Sequence, residues 1–296
     1  MENIRIITID GGYKVWTKRM GKSPDIKLLL LHGGPGATHE YFKIFDNYLP
    51  AEGIEYYYYD QLGSHHSDPA NDPSLWTIER FAEEVETVRS KLGLDSSNFF
   101  LLGHSWGGIL AIEYSLRYQK NLKGLIVSNM MSSIPDYNRY ANDVLASGID
   151  PGVVKEIRKL ESEGKFDSER YMELLIPNFY EKHVLRIPAD KWPEDVNKAF
   201  ENINHEMYVA MQGPSEFGAS GKLEFWDRRN DLKQIDVPTL VIGAEHDTMD
   251  PKHMKWMAEE FPEGEYLHCP EGSHIAMWDD TETYVSGLIR FLKKVE

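Results

Sequence analysis

Ser105 in Gly103-His104-Ser105-Trp106-Gly107-Gly108, Asp247 and His274 have the residue types and the chain order for nucleophilic acyl transfer. A serine hydroxyl is a weak nucleophile until a neighbouring base takes its proton. Histidine suits that task because its unperturbed pKa, about 6.5, lies near neutral pH. A carboxylate on the far ring nitrogen then holds the imidazole in the useful tautomer. The chain has 11 histidines and 48 carboxylates, so neither His274 nor Asp247 stands out alone. They stand out because each follows an apolar run, and because Ser, Asp, His is the order that belongs with a G-x-S-x-G turn between a strand and a helix. In such a turn the glycines make room for a strained backbone, and the helix N-terminus favours developing negative charge.

Acyl transfer also needs two N–H groups aimed at the oxyanion. One comes from the residue after the nucleophile, here Trp106; the other comes from a glycine-rich loop after an early strand. His32-Gly33-Gly34-Pro35-Gly36 is such a loop, and Gly34 is the candidate donor. His65-His66 raises the question of a metal. Adjacent histidines on an extended segment point to opposite faces, and the sequence offers no evident third ligand, so no metal is expected. Cys269, the single cysteine, ends an apolar stretch and reads as a small core residue. One cysteine forms no internal disulfide, which fits a reducing compartment.

The elements that must position these residues are legible as apolar runs. Lys27 to His32, Ile54 to Asp60, Asn98 to Gly103, Leu122 to Ser128, Val237 to Gly243 and, more weakly, Gly264 to Cys269 are continuous runs bounded by turn residues. Strands buried on both faces look like this, and they belong to parallel sheets. Residues 3 to 19 alternate around Gly11-Gly12 and read as an antiparallel hairpin. Ile78 to Leu92 carries one apolar stripe at the helical period behind a capping Thr77; Gly107 to Tyr118 and Thr281 to Lys294 are also helical. The expected fold is therefore α/β: a mostly parallel central sheet flanked by helices. From about Met131 to Arg229 the rhythm breaks. Helical patterns at Val153 to Glu163, Ser168 to Leu175 and Val196 to Tyr208 replace strands. The expectation is a core of residues 1–130 and 230–296 with a helical cap, 131–229, inserted between two sheet strands.

Composition narrows the function. Hydrophobic residues make up 41% and charged residues 27%, as in ordinary globular proteins. A formal charge of −16 repels phosphate backbones, which disfavours nucleic acid as a partner. No apolar stretch approaches the roughly 20 residues of a membrane span, so no membrane partner is expected. The start, MENIRIITID, reads as strand rather than as a signal peptide, and the cytoplasm is the expected location.

Taken together, HGGPG at 32–36, Asp60-Gln61-Leu62-Gly63, SLWTIERF at 74–81, GHSWGG at 103–108 and Gly213-Pro214-Ser215-Glu216-Phe217 resemble the proline iminopeptidases (prolyl aminopeptidases), and the likeness runs along most of the chain. The resemblance implies an α/β-hydrolase fold with an inserted helical cap, and a serine aminopeptidase that releases an N-terminal residue, usually proline, from short peptides or amino-acid amides. It implies no metal and no organic cofactor. It also implies carboxylates that grip the free amino group of the substrate, and Glu216 matches one of them. Some members carry a second glutamate directly after the triad aspartate; here that position is Thr248, and Glu245 lies two residues before Asp247. This departure leaves open an amidase or esterase of the same fold acting on other amino-acid derivatives or small esters.

Overall fold

The computed structural model describes residues 3–295; positions 1, 2 and 296 of the expected core segments lie outside the described residues. Eight strands form one sheet in the order β1-β2-β4-β3-β5-β6-β7-β8. They are β1 (Ile4–Thr8), β2 (Lys14–Met20), β3 (Lys27–Leu31), β4 (Glu55–Asp60), β5 (Phe99–His104), β6 (Gly124–Ser128), β7 (Thr239–Ala244) and β8 (Gly264–Cys269). The alternating N-terminal stretch forms the expected hairpin, with Ile6 opposite Trp16, and β2 pairs antiparallel with β4. All remaining pairs are parallel. Every residue of β4, β5, β6 and β7 is buried. That burial explains why these strands read as continuous rather than alternating runs.

Helices α1 (Ile78–Leu92) and α2 (Trp106–Tyr118) pack on each other, and α2 packs on β3, β5 and β6. The Thr77 hydroxyl caps α1 by accepting from the Arg80 N–H. Two buried clusters form, one centred on Leu101, Val127 and Trp106, the other on Phe100, Ile126 and Phe45. Neighbouring residues of β5 and β6 alternate between the clusters, so the sheet separates them. Helices α8 (Pro251–Glu260), α9 (Ala276–Asp279) and α10 (Thr281–Val295) follow β7 and β8. Among the described residues no helix is long and apolar enough to cross a membrane.

Between β6 and β7 the chain forms α3 (Ile134–Tyr140), α4 (Pro151–Ser162), α5 (Glu169–Leu175), α6 (Glu194–Glu201) and α7 (His205–Met211). A π-helical segment, Ile176–Val184, follows α5. One expectation needs correcting here. Val196 to Tyr208 is not one helix but α6 and α7, broken at Asn202 to Asn204. Asn204 sits outside helical geometry. Its side chain accepts from Met207 N–H and so caps α7, while its own N–H donates to the Gly36 carbonyl at 2.8 Å. A capping residue bonded to a distant loop cannot also continue the preceding helix.

Candidate active site

The site stands at the C-terminal ends of the parallel strands. β5 ends at His104, and Ser105 begins the turn into α2 with φ 55° and ψ −126°. A non-glycine residue with positive φ is strained, and it is held because the surroundings permit nothing else. A Cβ on Gly103 would lie 2.0 Å from the Gly107 carbonyl oxygen, and one on Gly107 would lie 2.1 Å from that of Leu31. The glycines therefore let α2 start directly against β3 and β5. Asp247 follows β7 and His274 follows β8.

His274 Nδ1 lies 2.8 Å from Asp247 Oδ1, and both residues are buried. The carboxylate is held from several directions. Asn129 Nδ2 donates to Oδ2 at 2.7 Å, the Met249 N–H donates to Oδ1 at 3.2 Å, and the Thr248 hydroxyl lies 3.3 Å from Oδ1 and 3.1 Å from His274 Nδ1. Because Nδ1 faces the carboxylate, the other ring nitrogen, Nε2, is the one left for proton transfer. Burial works against protonation of His274. The charge and hydrogen bond of Asp247, helped by the charge of Glu216, outweigh it and raise its pKa above 6.5.

The glycine-rich loop lies against the serine: a Cβ on Gly33 would be 3.4 Å from Ser105 Oγ. The Gly33 N–H donates to the Tyr41 hydroxyl at 2.7 Å, so it is already engaged. Among the described residues neither the Gly34 nor the Trp106 N–H is taken up by a hydrogen bond within the fold. Gly34 has φ 111°, and a Cβ there would lie 2.6 Å from the Ala37 nitrogen, so the turn requires glycine. Tyr41 OH also lies 3.0 Å from His104 Nδ1, and His104 Nε2 lies 2.7 Å from the His274 carbonyl. One consistent proton assignment runs through this chain. Gly33 donates to Tyr41, Tyr41 donates to His104 Nδ1, and His104 Nε2–H donates to the His274 carbonyl. It ties the glycine loop to the histidine loop through a neutral His104, whose pKa burial and the neighbouring His274 push down to about 3.

Ser105, His274, Gly33 and Gly34 line a cavity of about 430 Å³. Its opposite wall is apolar and comes from the helices between β6 and β7, through Val184, Val196, Ala199, Phe200 and Ile203. Glu216 lines the same cavity, and its Oε1 accepts from the Tyr208 hydroxyl at 2.6 Å. Hydrogen bonds from main-chain N–H groups and from the Asn204 side chain fasten these helices to the loops below. The His274 and Ile275 N–H groups donate to the carbonyls of His183 and Val184, and the Asn204 amide donates to the Gly63 carbonyl.

The α/β-hydrolase fold family matches residues 27–281. A proline iminopeptidase of Flavobacterium johnsoniae is 54% identical over 292 residues, covering 99% of this chain and 98% of that one. The chain belongs to the proline iminopeptidase family. Among solved structures, VinJ superposes with a TM-score of 0.92 at 30% identity, covering 99% of both chains. A Mycobacterium smegmatis proline iminopeptidase superposes with a TM-score of 0.86 at 27% identity, covering 99% of this chain and 98% of that one.

In this iminopeptidase-family chain the residues singled out in the sequence divide clearly. Ser105, His274, Gly34 and Glu216 reach one cavity, with Asp247 buried behind His274 and Trp106 at the start of α2. Glu245 does not join them. Its side chain is 55% exposed and lies 3.5 Å from His268 Nε2. The first residue after β7 faces outward, whereas Thr248, three positions on, reaches the Asp247–His274 pair. Sequence reasoning missed Tyr41, Asn129 and the part played by His104. It noted Gln61 only within a motif. Gln61 takes the indole N–H of Trp106 on its Oε1 and donates its amide to the His32 carbonyl, which joins the glycine loop to the start of α2. The signal for Asn129 was weak, because one asparagine after an apolar run has many ordinary explanations.

Proposed function

We propose that this chain is a serine aminopeptidase that releases an N-terminal residue, proline foremost, from short peptides or amino-acid amides. His274 Nε2 takes the Ser105 proton as the oxygen attacks the scissile carbonyl. The N–H groups of Gly34 and Trp106 hold the oxyanion, and Asp247 keeps Nδ1–H in place. When the intermediate collapses, His274 hands the proton to the leaving amine. Water then adds to the acyl-enzyme with His274 again as base, and the free amino acid departs.

The observation that carries this reading is Glu216 in the same cavity as Ser105. A carboxylate facing an apolar cavity is costly unless a cation meets it there, and the ammonium of a free N-terminus is such a cation. Tyr208 holds one Glu216 oxygen and so aims the group. The apolar wall suits a pyrrolidine ring or another compact side chain. The reaction needs no metal or organic cofactor, and the cytoplasm, where short peptides are turned over, is the proposed location.

Prolyl, alanyl and leucyl arylamides, each with and without an N-terminal blocking group, test the reading beside p-nitrophenyl esters. Cleavage of free-amine prolyl arylamide with little action on the blocked form supports it. Faster turnover of blocked amides or simple esters would favour the broader amidase or esterase, to which Thr248, standing directly after Asp247 in place of a second glutamate, gives some weight.

A further inference from the structure

The paired histidines after β4 do not behave as the sequence implied. They lie in a turn rather than an extended segment, and their rings are 4.1 Å apart instead of facing away from each other. A carboxylate joins them from the loop after β3: the ligand atoms of Glu40, His65 and His66 all lie within 4.8 Å of one another. None of the three lines the Ser105 cavity.

Glu40 is only 4% exposed. Its one hydrogen bond is from the Thr38 hydroxyl to Oε2, and among the described residues no cationic side chain pairs with it. A buried carboxylate without a counter-charge is costly, and the cost is removed if a cation sits beside it. Two imidazoles and one carboxylate are a donor set that suits zinc and its neighbours, with a fourth position left for water. The Thr38 bond orients the carboxylate, as supporting bonds do around metal ligands. The Trp16 ring packs 4.9 Å from that of His66. In a tetrahedral zinc site the ligand atoms lie about 3.3 Å apart, so closure requires the exposed rings of His65 and His66 to move by about an ångström. Their exposure also supplies the entry path.

A second set, His39, Asp60 and His66, also lies within 4.8 Å. There Asp60 Oδ1 already takes both the His39 N–H and Nδ1, at 3.0 and 2.8 Å, so two of its three members are spent on each other. Glu40, held by the Thr38 hydroxyl, is the carboxylate with no cationic side chain in ion-pair contact among the described residues.

We propose that Glu40, His65 and His66 form a binding site for one divalent transition cation of the zinc class. Such an ion would cross-link the loop after β3, which also carries Gly34, to the loop after β4. Binding to the folded chain alone would raise its thermal stability by mass action.

The test uses untagged full-length protein, stripped with a chelator and titrated with Zn²⁺ by calorimetry and with Co²⁺ by visible absorption, alongside thermal unfolding with and without Zn²⁺. The wild type is expected to bind one equivalent, to show ligand-field bands with Co²⁺, and to melt at a higher temperature with Zn²⁺. His65→Ala/His66→Ala changes two exposed side chains. It should melt like the metal-free wild type, lose the Co²⁺ bands and the thermal shift, and bind Zn²⁺ more weakly by at least the roughly 100-fold that loss of a supporting residue can cost. Absence of saturable binding in the wild type, or equal binding by the double variant, would overturn the proposal.

Discussion

The side-chain amide of Asn129 donates to Asp247 Oδ2 at 2.7 Å across 118 residues of chain. Its own oxygen accepts from the Ser128 hydroxyl at 2.8 Å, which fixes the amide's orientation. Asn129 has φ 51°, so glycine is the replacement that deletes the amide without adding backbone strain. A hydrogen bond to a charged group contributes about 1.5–3 kcal/mol. Asn129→Gly is therefore expected to lower kcat roughly 10- to 100-fold, with KM little changed. Steady-state kinetics on prolyl arylamide check this, and a change confined to KM would show that the amide does not act through Asp247.

Ser105→Ala removes the proposed nucleophile at a position whose strained backbone is held by its neighbours. Turnover is expected to fall by on the order of 10⁴-fold or more, with the melting temperature close to that of the wild type. Labelling by a fluorophosphonate should disappear in parallel. Labelling that persists in the variant would assign the reactive serine elsewhere.

Glu216 is expected to act in two separable ways. Glu216→Gln should lower kcat/KM for free-amine arylamides roughly 100-fold while sparing a neutral ester, because only the former brings an ammonium to the cavity. The second effect is on pH. His274 must be neutral to accept a proton, and its raised pKa puts the acid limb of kcat/KM above about pH 6.5. Asp247 provides most of that rise and Glu216 part of it, so the limb measured with the ester should move to lower pH in Glu216→Gln. An unmoved limb would mean that the two groups do not sense each other.

His253 gives a prediction about stability away from the cavity. Its Nε2 lies 3.0 Å from the Ser132 hydroxyl, and burial pushes its pKa down to about 4. The unfolded chain takes up this proton near pH 6.5, the folded chain only near 4. Stability from the neutral imidazole is thus complete above about pH 6.5 and is lost as the pH falls towards 4, a change of about 3 kcal/mol. Melting temperatures measured from pH 7 to 4 should fall for the wild type and fall less steeply for His253→Gln. Parallel curves would count against this source of acid lability.

How much of this was legible follows from what each feature depends on. Strands β3 to β7 were readable because burial on both faces writes itself into consecutive residues, whereas β8, the weaker run, is an edge strand with most of its residues partly or fully exposed. The strand-end positions of Ser105, Asp247 and His274 were readable because each follows an apolar run, and ligand sites in an open parallel sheet collect where the strands end. The break between α6 and α7 was not, since it depends on a carbonyl at Gly36 that lies far away in the chain. Glu245 was misjudged for a local reason: the turn after β7 sends its side chain outward while Thr248 reaches inward. The facing of His65 and His66 was misjudged because the two-residue alternation used for them belongs to strands, and they lie in a turn.

The main-chain bonds from His274 and Ile275 to His183 and Val184, and from Asn204 to Gly36, tie the roof of the cavity to the same loops that carry the proposed base and the proposed oxyanion donor. A roof fastened in this way cannot be exchanged as an independent part. Grafting the helices of another hydrolase between β6 and β7 would remove main-chain anchors from both loops, so altered selectivity would arrive together with altered turnover. Redesign for a larger N-terminal residue is better sought by trimming Val196, Phe200 or Ile203 in place.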